Sequence, residues 1–274
     1  MSGKDKSLVS KKGMSFDEYY AETFGNRWTT LKEALLFTPS QLAFSQSLLK
    51  PYYMDEASVA VASSMPALDE GLILDLCAAP GGKTLVLSSM VGKGVRLQAN
   101  ELSSNRRARL HRVIEEHLCE EARQRIEVTG YDGSVMAKFC KEKYDRILVD
   151  APCSSERHVI ASPSAIKQWT PSRIKTLSIR QWALLSSAFL MLKISGFLIY
   201  STCALLDAEN DCVIDKLLKK YKNAKVVELE EKLKLHTYFP IKTRNGYAYL
   251  PDLHSGAGPM YFSLIEKIET PPSN

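Results

Sequence analysis

Apolar residues recur along this chain with two different rhythms, and the change between them divides it. In the first part the spacing is helical: Phe16, Tyr19, Tyr20 and Phe24 fall on one face, and Gly25 ends the run. Ser15 and Glu18 stand at the start in the S-x-x-E pattern, where a hydroxyl and a carboxylate satisfy the free amides of a first turn. Thr30 and Glu33 repeat that signal beside Leu31, Leu35 and Leu36, predicting a second helix. Further helices are expected over 40–49 and 55–64. Residues 14–68 thus read as a helical N-terminal extension whose aromatics pack against the main domain. The polar stretch over 1–13 reads as a disordered basic tail.

From Gly71 onward, short apolar runs alternate with helical stretches. Strands are expected at 72–76, 95–100, 126–128, 144–150 and 196–201, with two late ones at 224–229 and 260–267. Helices are expected near 83–90, over 103–118, over about 173–194 and over 207–221. Such alternation indicates an α/β domain over 69–270, a parallel sheet covered on both faces. Right-handed crossovers gather the strand-to-helix loops on one edge, where ligands bind. The long polar stretch 154–172 reads as a functional loop.

Composition narrows the classes. An apolar share of 45% supports a real core, and no apolar run approaches the roughly 18 residues of a membrane span. The N-terminus lacks the apolar region of a secretory signal, so a cytosolic or equivalent reducing compartment is expected, the mitochondrial matrix for an organelle enzyme. Six cysteines show no CxxC pairing, and no metal site is expected. A net charge of +5 tilts mildly toward a polyanionic partner.

The strongest chemical signal is the run Leu74-Asp75-Leu76-Cys77-Ala78-Ala79-Pro80-Gly81-Gly82-Lys83-Thr84. A Gly pair between strand and helix lets the backbone approach a ligand closely at a helix N-terminus. A phosphate-binding P-loop would need Gly where Cys77 stands, and a dinucleotide fingerprint would need G-x-G-x-x-G. Glu101 ends the second strand, where a carboxylate can accept from both hydroxyls of a ribose, and Asp132 follows the third, placed to accept from an adenine amino group.

Asp150-Ala151-Pro152-Cys153-Ser154 ends the fourth strand and Tyr200-Ser201-Thr202-Cys203-Ala204 the fifth. Two cysteines thus land on neighbouring loops at the binding edge. Cytosine C5 is a poor nucleophile; a thiolate added at C6 turns the ring into an enamine that accepts a methyl group at C5. Cysteine suits that task as nucleophile and leaving group, and Asp150 is placed to hydrogen-bond N3 of the base. Cys119, Cys140 and Cys212 read instead as small buried apolar residues.

In these three segments, in order and spacing, the sequence resembles the Nop/Sun family of RNA cytosine-5 methyltransferases, over roughly residues 50–267. The resemblance implies a seven-stranded methyltransferase sheet with one antiparallel strand. It implies that Cys77, Ala78, Ala79, Pro80, Gly81, Gly82, Lys83, Glu101, Asp132 and Asp150 contact S-adenosylmethionine. It makes Cys203 the nucleophile and Cys153 the residue that helps release the product. The family commonly has Asp where Glu101 stands. Gly258-Pro259-Met260-Tyr261-Phe262, the Phe16 to Trp28 segment and Tyr52-Tyr53-Met54-Asp55 resemble the small-subunit rRNA branch that includes the mitochondrial enzyme.

RNA is accordingly the expected substrate, rRNA ahead of tRNA, with a ribosomal particle or a protein partner as a possible aid to selection. Lys4, Lys6, Lys11, Lys12 and the group Arg106, Arg107, Arg109 and Arg112 are candidate phosphate contacts. A DNA cytosine-5 methyltransferase would use Cys153 as nucleophile, but the Ser-Thr-Cys segment argues against it. A non-catalytic ribosome-assembly factor would need none of these groups.

Overall fold

The computed structural model describes residues 13–37, 41–229 and 238–270. Apart from Gly13, the tail over 1–13 lies outside them.

Helix α1 (Phe16–Phe24) starts on the expected capping box: the Ser15 hydroxyl accepts from the Glu18 N–H, and the Glu18 carboxylate accepts from the Ser15 N–H at 2.8 Å. The start expected at Thr30 is corrected. Helix α2 (Arg27–Leu36) begins a turn earlier, because Trp28, Leu31 and Leu35 share one buried face and the chain turns directly out of Gly25. The helix expected over 40–49 does not form in its described part. Leu42–Phe44 is strand β1, paired antiparallel with β2 (Tyr52–Met54), with Leu42 opposite Met54 and Phe44 opposite Tyr52. Pro51 restricts Lys50 to extended backbone, and alternation lets Phe44 and Met54 enter the core. The extension is therefore not wholly helical. Helix α3 (Glu56–Ser63) follows, capped by Asp55.

The alternating part runs β3 (Glu70–Asp75), α4 (Gly82–Met90), β4 (Gly94–Asn100), α5 (Ser104–His117), α6 (Glu120–Arg123), β5 (Ile126–Thr129) and β6 (Tyr144–Asp150). The stretch 154–172 is largely ordered into α7 (Glu156–Ala161) and α8 (Pro163–Gln168). Helix α9 (Pro171–Met191) stops three residues short of expectation and β7 (Leu192–Thr202) starts four residues early. A bulge between the Tyr144–Leu192 and Arg146–Phe197 pairs accommodates the extra residues, with Ser195 in the left-handed region. A 3₁₀ turn at Asp207–Glu209 precedes α10 (Asp211–Lys220), and β8 (Ala224–Val227), β9 (Ile241–Lys242), β10 (Tyr247–Tyr249) and β11 (Met260–Lys267) complete the chain.

Strands β5, β4, β3, β6 and β7 lie side by side in that order and parallel, and β11 adds on antiparallel to β7. Beyond β11, β8 pairs with one half of it and the β10–β9 hairpin with the other. The expected seven strands are all present. The two further ones flank Asn245-Gly246, a hairpin signal hidden by strands only two and three residues long.

Alternation along each strand builds a core on either face. Ile73 and Leu148 pack with α3 and α4, while Leu74, Ile147 and Val149 pack with α9 and α10. A third cluster joins Phe16, Tyr20, Trp28 and Leu31 to Val159, Trp169, Ile174 and Leu205. The first two helices thus bear on the segments just beyond both cysteine loops.

Candidate active site

The loop after β3 is held by its backbone: Leu76 N–H donates to Leu148 O at 2.9 Å and Ala78 N–H to Asn100 O at 2.9 Å. Gly81 has φ +122°, and a Cβ there would lie 2.9 Å from Val113 Cγ1. A side chain on Gly82 would lie 2.9 Å from Tyr52 Cε1. Glycine is needed at the first position for its conformation and at the second for the close approach of β2.

On one side of Cys77 opens a cavity of about 260 Å³, lined by Glu101, Asp132, Tyr131, Arg106 and Arg180 among others. Glu101 is buried. Its Oε1 accepts from Ser103 N–H at 2.9 Å, while Oε2 has no hydrogen-bond partner and only Arg106 Nη1 at 3.4 Å. Asp132 is exposed at the rim, with Oδ1 accepting from the amide and hydroxyl of Ser134. Arg106 donates to Ala79 O at 2.7 Å and Arg107 to Glu101 O at 2.8 Å. Those two arginines of the candidate phosphate-binding group therefore tie down the loops of this cavity, although Arg106, like Arg109 and Arg112, is exposed.

On the other side of Cys77 lies a cavity of about 120 Å³ bounded by Asp75, Lys83, Asp150, Ser58, Tyr52 and Met54. Asp75 is buried; its Oδ2 accepts from Thr84 Oγ1 at 2.7 Å and Oδ1 has no partner. Burial pushes its carboxyl up to about 7 although Thr84 pulls the other way. Burial and the surrounding carboxylates raise the Cys77 thiol well above the usual range, so Cys77 is no thiolate. Lys83 Nζ reaches Asp150 Oδ2 at 2.8 Å and Ser58 Oγ at 3.3 Å; burial is the largest influence and opposes its charge, but Asp150, Cys203 and Asp75 together raise the ammonium. Ser201 Oγ donates to Asp150 Oδ1 at 2.8 Å, so both carboxylate oxygens are held.

The loops after β6 and β7 bring Cys153 and Cys203 together as free thiols, Sγ to Sγ 2.7 Å. Cys203 N–H donates to Cys153 Sγ at 3.2 Å, and Ser155 Oγ lies 3.1 Å from Cys203 Sγ. The hydrogen bond from Cys153 holds the Cys203 thiol below its ordinary range against the effect of burial. The same contact, with burial, raises Cys153 well above it. The two sulfurs therefore ionise as a pair, the contact favouring the charged form of Cys203 over that of Cys153.

Behind the sulfurs sit groups that the linear pattern did not reveal. Glu156 and Glu209 are buried: Glu156 accepts from Ser154 Oγ at 2.6 Å, Tyr20 OH at 2.7 Å and Leu205 N–H at 3.3 Å, and Glu209 from Ser154 N–H at 2.9 Å and Gln181 Nε2 at 2.7 Å. Together they brace both cysteine loops. Burial, then the charge of Glu209, pushes Glu156 up to about 7. Asn100, at the end of β4, bonds Leu76 O, Tyr131 O and Tyr131 N–H and so fixes the two loops beside the larger cavity. Asp75 and Asn100 had a legible sign, a polar residue closing an apolar strand. Of the cysteines expected to be buried, Cys119 is exposed because it stands at the start of α6, and Cys140 and Cys212 are half-buried.

The site suits a ligand with hydroxyls and a cationic end. Two buried carboxylate oxygens without hydrogen-bond partners, on Glu101 and Asp75, flank a glycine loop and accept from such groups. Among the described residues no group of three or more His, Cys, Asp or Glu is placed to hold a metal ion. Nor is any described helix long and apolar enough to cross a membrane.

5-cytosine rRNA methyltransferase NSUN4 of Bos taurus is 34% identical over 82% of this chain and 62% of its own length. The mitochondrial tRNA (cytosine(34)-C(5))-methyltransferase of Danio rerio is 34% identical over 80% of this chain and 62% of its own. The chain therefore spans less than two thirds of these relatives. The crystal structure of a methyltransferase homolog from Pyrococcus horikoshii superposes with a TM-score of 0.72 at 19% identity, covering 93% of this chain and 96% of the other, which shows the shared fold. The family model described as 16S rRNA methyltransferase RsmB/F matches residues 63–265, a span holding the glycine loop, the carboxylates at the strand ends and both cysteine loops. By that match the chain belongs to the RsmB/F family of rRNA methyltransferases.

Proposed function

We propose that this chain is an S-adenosylmethionine-dependent RNA cytosine-5 methyltransferase acting on small-subunit rRNA, with Cys203 as nucleophile. The observation that carries the reading is the pair of touching thiols on the loops after β6 and β7, beside the Lys83–Asp150 pair; their contact acts in the same direction, lowering Cys203 and raising Cys153.

In this reading Glu101 accepts from the ribose hydroxyls of S-adenosylmethionine, Asp132 from the adenine amino group and Asp75 from the ammonium, with the 77–83 loop against the remainder. When bound, that cofactor supplies an electrophilic methyl group on a sulfonium. The chain's own residues do the rest. The Cys203 thiolate adds to C6 of a cytosine taken out of its stack, which makes C5 nucleophilic. Asp150, held by Lys83 and Ser201, lies beside the base, and a proton carried on its carboxyl would pass to N3 as thiolate addition puts negative charge on the ring. After methylation a base, which solvent water can supply, takes the C5 proton; the C5–H electron pair forms the C5=C6 double bond as the C6–S bond breaks and its pair returns to Cys203, with Cys153 aiding release. Residues 69–270 form the catalytic domain, and residues 14–68 a substrate-facing extension.

A tRNA substrate is the second reading, favoured by the likeness to the Danio rerio tRNA enzyme. A ribosomal particle or a protein partner assists selection of the target. The compartment is the cytoplasm, or the mitochondrial matrix for an organelle enzyme.

The test separates the two sulfurs. With S-adenosylmethionine and small-subunit rRNA, Cys203→Ser is expected to lose all turnover, while Cys153→Ser stalls with RNA covalently attached, seen as a shifted band on a denaturing gel. An active Cys203→Ser with no adduct from Cys153→Ser would overturn the assignment.

A further inference from the structure

We propose that Ser155 is a positioning residue for this reaction: its hydroxyl donates a hydrogen bond to the Cys203 sulfur and holds that sulfur in place opposite Cys153. The inference rests on Cys203 being the nucleophile, and names a third group in its immediate surroundings.

Ser155 Oγ lies 3.1 Å from Cys203 Sγ, 3.5 Å from Cys153 Sγ and 3.5 Å from Cys153 O. Only the first of these distances suits a strong hydrogen bond, and a thiolate accepts but cannot donate, so the hydroxyl is the donor. Two independent features show that the hydroxyl is committed to this task. Ser155 stands at the N-cap position of α7, where a serine side chain ordinarily accepts from the first helical amides, yet it makes no such bond. Its backbone is also left-handed, at φ +53° and ψ +58°, a conformation that glycine adopts more readily. In that conformation the side chain lies at the sulfurs and makes no bond to the helix end. The neighbouring loop residue is clamped by Glu156 and Glu209, and Ser155 O accepts from Val159 N–H at 3.0 Å, so the strained turn is well supported.

The surroundings explain why such a donor is needed. Asp150 at the end of β6 and Glu156 on α7 both oppose negative charge on Cys203. Lys83 on α4 favours it, but that ammonium is already bonded to Asp150. The hydrogen-bond donors on Cys203 Sγ are therefore the S–H of Cys153 and the O–H of Ser155. When the C6–S bond breaks and the electron pair returns to sulfur, Ser155 is a donor that needs no proton transfer to receive the leaving thiolate.

The experiment measures Cys203 directly, in the full chain and without RNA. Wild type, Ser155→Ala and Ser155→Gly are alkylated with iodoacetamide across a pH series, and the Cys203 peptide is followed by mass spectrometry. Loss of a hydrogen bond to a charged group should raise the pH midpoint of alkylation by about one unit, so that Cys203 reacts about tenfold more slowly at pH 7. The glycine variant relaxes the left-handed backbone, so it folds at least as well as wild type and carries the test even where alanine does not. A midpoint raised in Ser155→Gly supports the inference; one unchanged from wild type overturns it. Because no RNA is present, a raised midpoint in an enzyme that methylates no RNA leaves Ser155 as the thiolate donor and refutes the functional reading instead.

Discussion

A carboxyl group removed from water keeps its proton to higher pH, and Glu156 makes the stability of the site depend on pH for that reason. In the unfolded chain it ionises near 4.5; in the fold, burial and Glu209 move that to about 7. Between those values the native state holds a proton that the unfolded state lacks, so stability falls as pH rises through this window and the full cost is present above it. Glu156→Gln keeps an acceptor for the Leu205 amide but cannot ionise. Its unfolding free energy from urea titration should gain on wild type from pH 5 to pH 8, by on the order of 2 kcal/mol at the upper end. A gap that does not change with pH would show that Glu156 is not the group titrating. Asp75 offers a separate test of its unpartnered oxygen. Asp75→Asn should weaken S-adenosylmethionine binding at least tenfold by calorimetry while leaving the fold intact; unchanged affinity would remove Asp75 from the cofactor site. Cys203, Cys153 and Asp150 were legible in the sequence because each stands at or just beyond a strand end, and Lys83 because it closes the glycine loop, all within short, chemically unusual runs. Glu156 was not, since its meaning depends on Tyr20, which is 136 residues away in the chain.

At the scale of elements, periodicity located most strands and helices of the alternating part, where buried parallel strands read as short apolar runs between helices. It failed where tertiary contacts decide. Leu42 to Phe44 sits in a segment compatible with helix, and only its pairing with Tyr52–Met54 over the glycine loop makes it a strand. The β9–β10 hairpin is too short to show a period at all. Arg157 is another such case, an apparently ordinary charge in a polar stretch. Its guanidinium donates to Leu35 O, Phe37 O, Gly256 O and Gly258 O, stapling the end of α2 to the turn before β11. Arg157→Met would leave four carbonyls without that donor. Urea unfolding is expected to show a loss of about 2–3 kcal/mol, and a loss under about 0.5 kcal/mol would mean that water replaces the staple at little cost.

For the molecule as a whole, the parallel strands bring the glycine loop and both cysteine loops to one edge of the sheet, and the N-terminal helices pack against the segments just beyond Cys153 and Cys203. A net charge of +5 favours a polyanionic substrate without identifying it. The most direct measurement is bisulfite sequencing of small-subunit rRNA, free and within the intact subunit, after incubation with purified protein and S-adenosylmethionine. One cytosine protected by the wild-type chain and left unprotected by Cys203→Ala is the expected result. No protected cytosine in either form of the substrate would contradict the proposed activity.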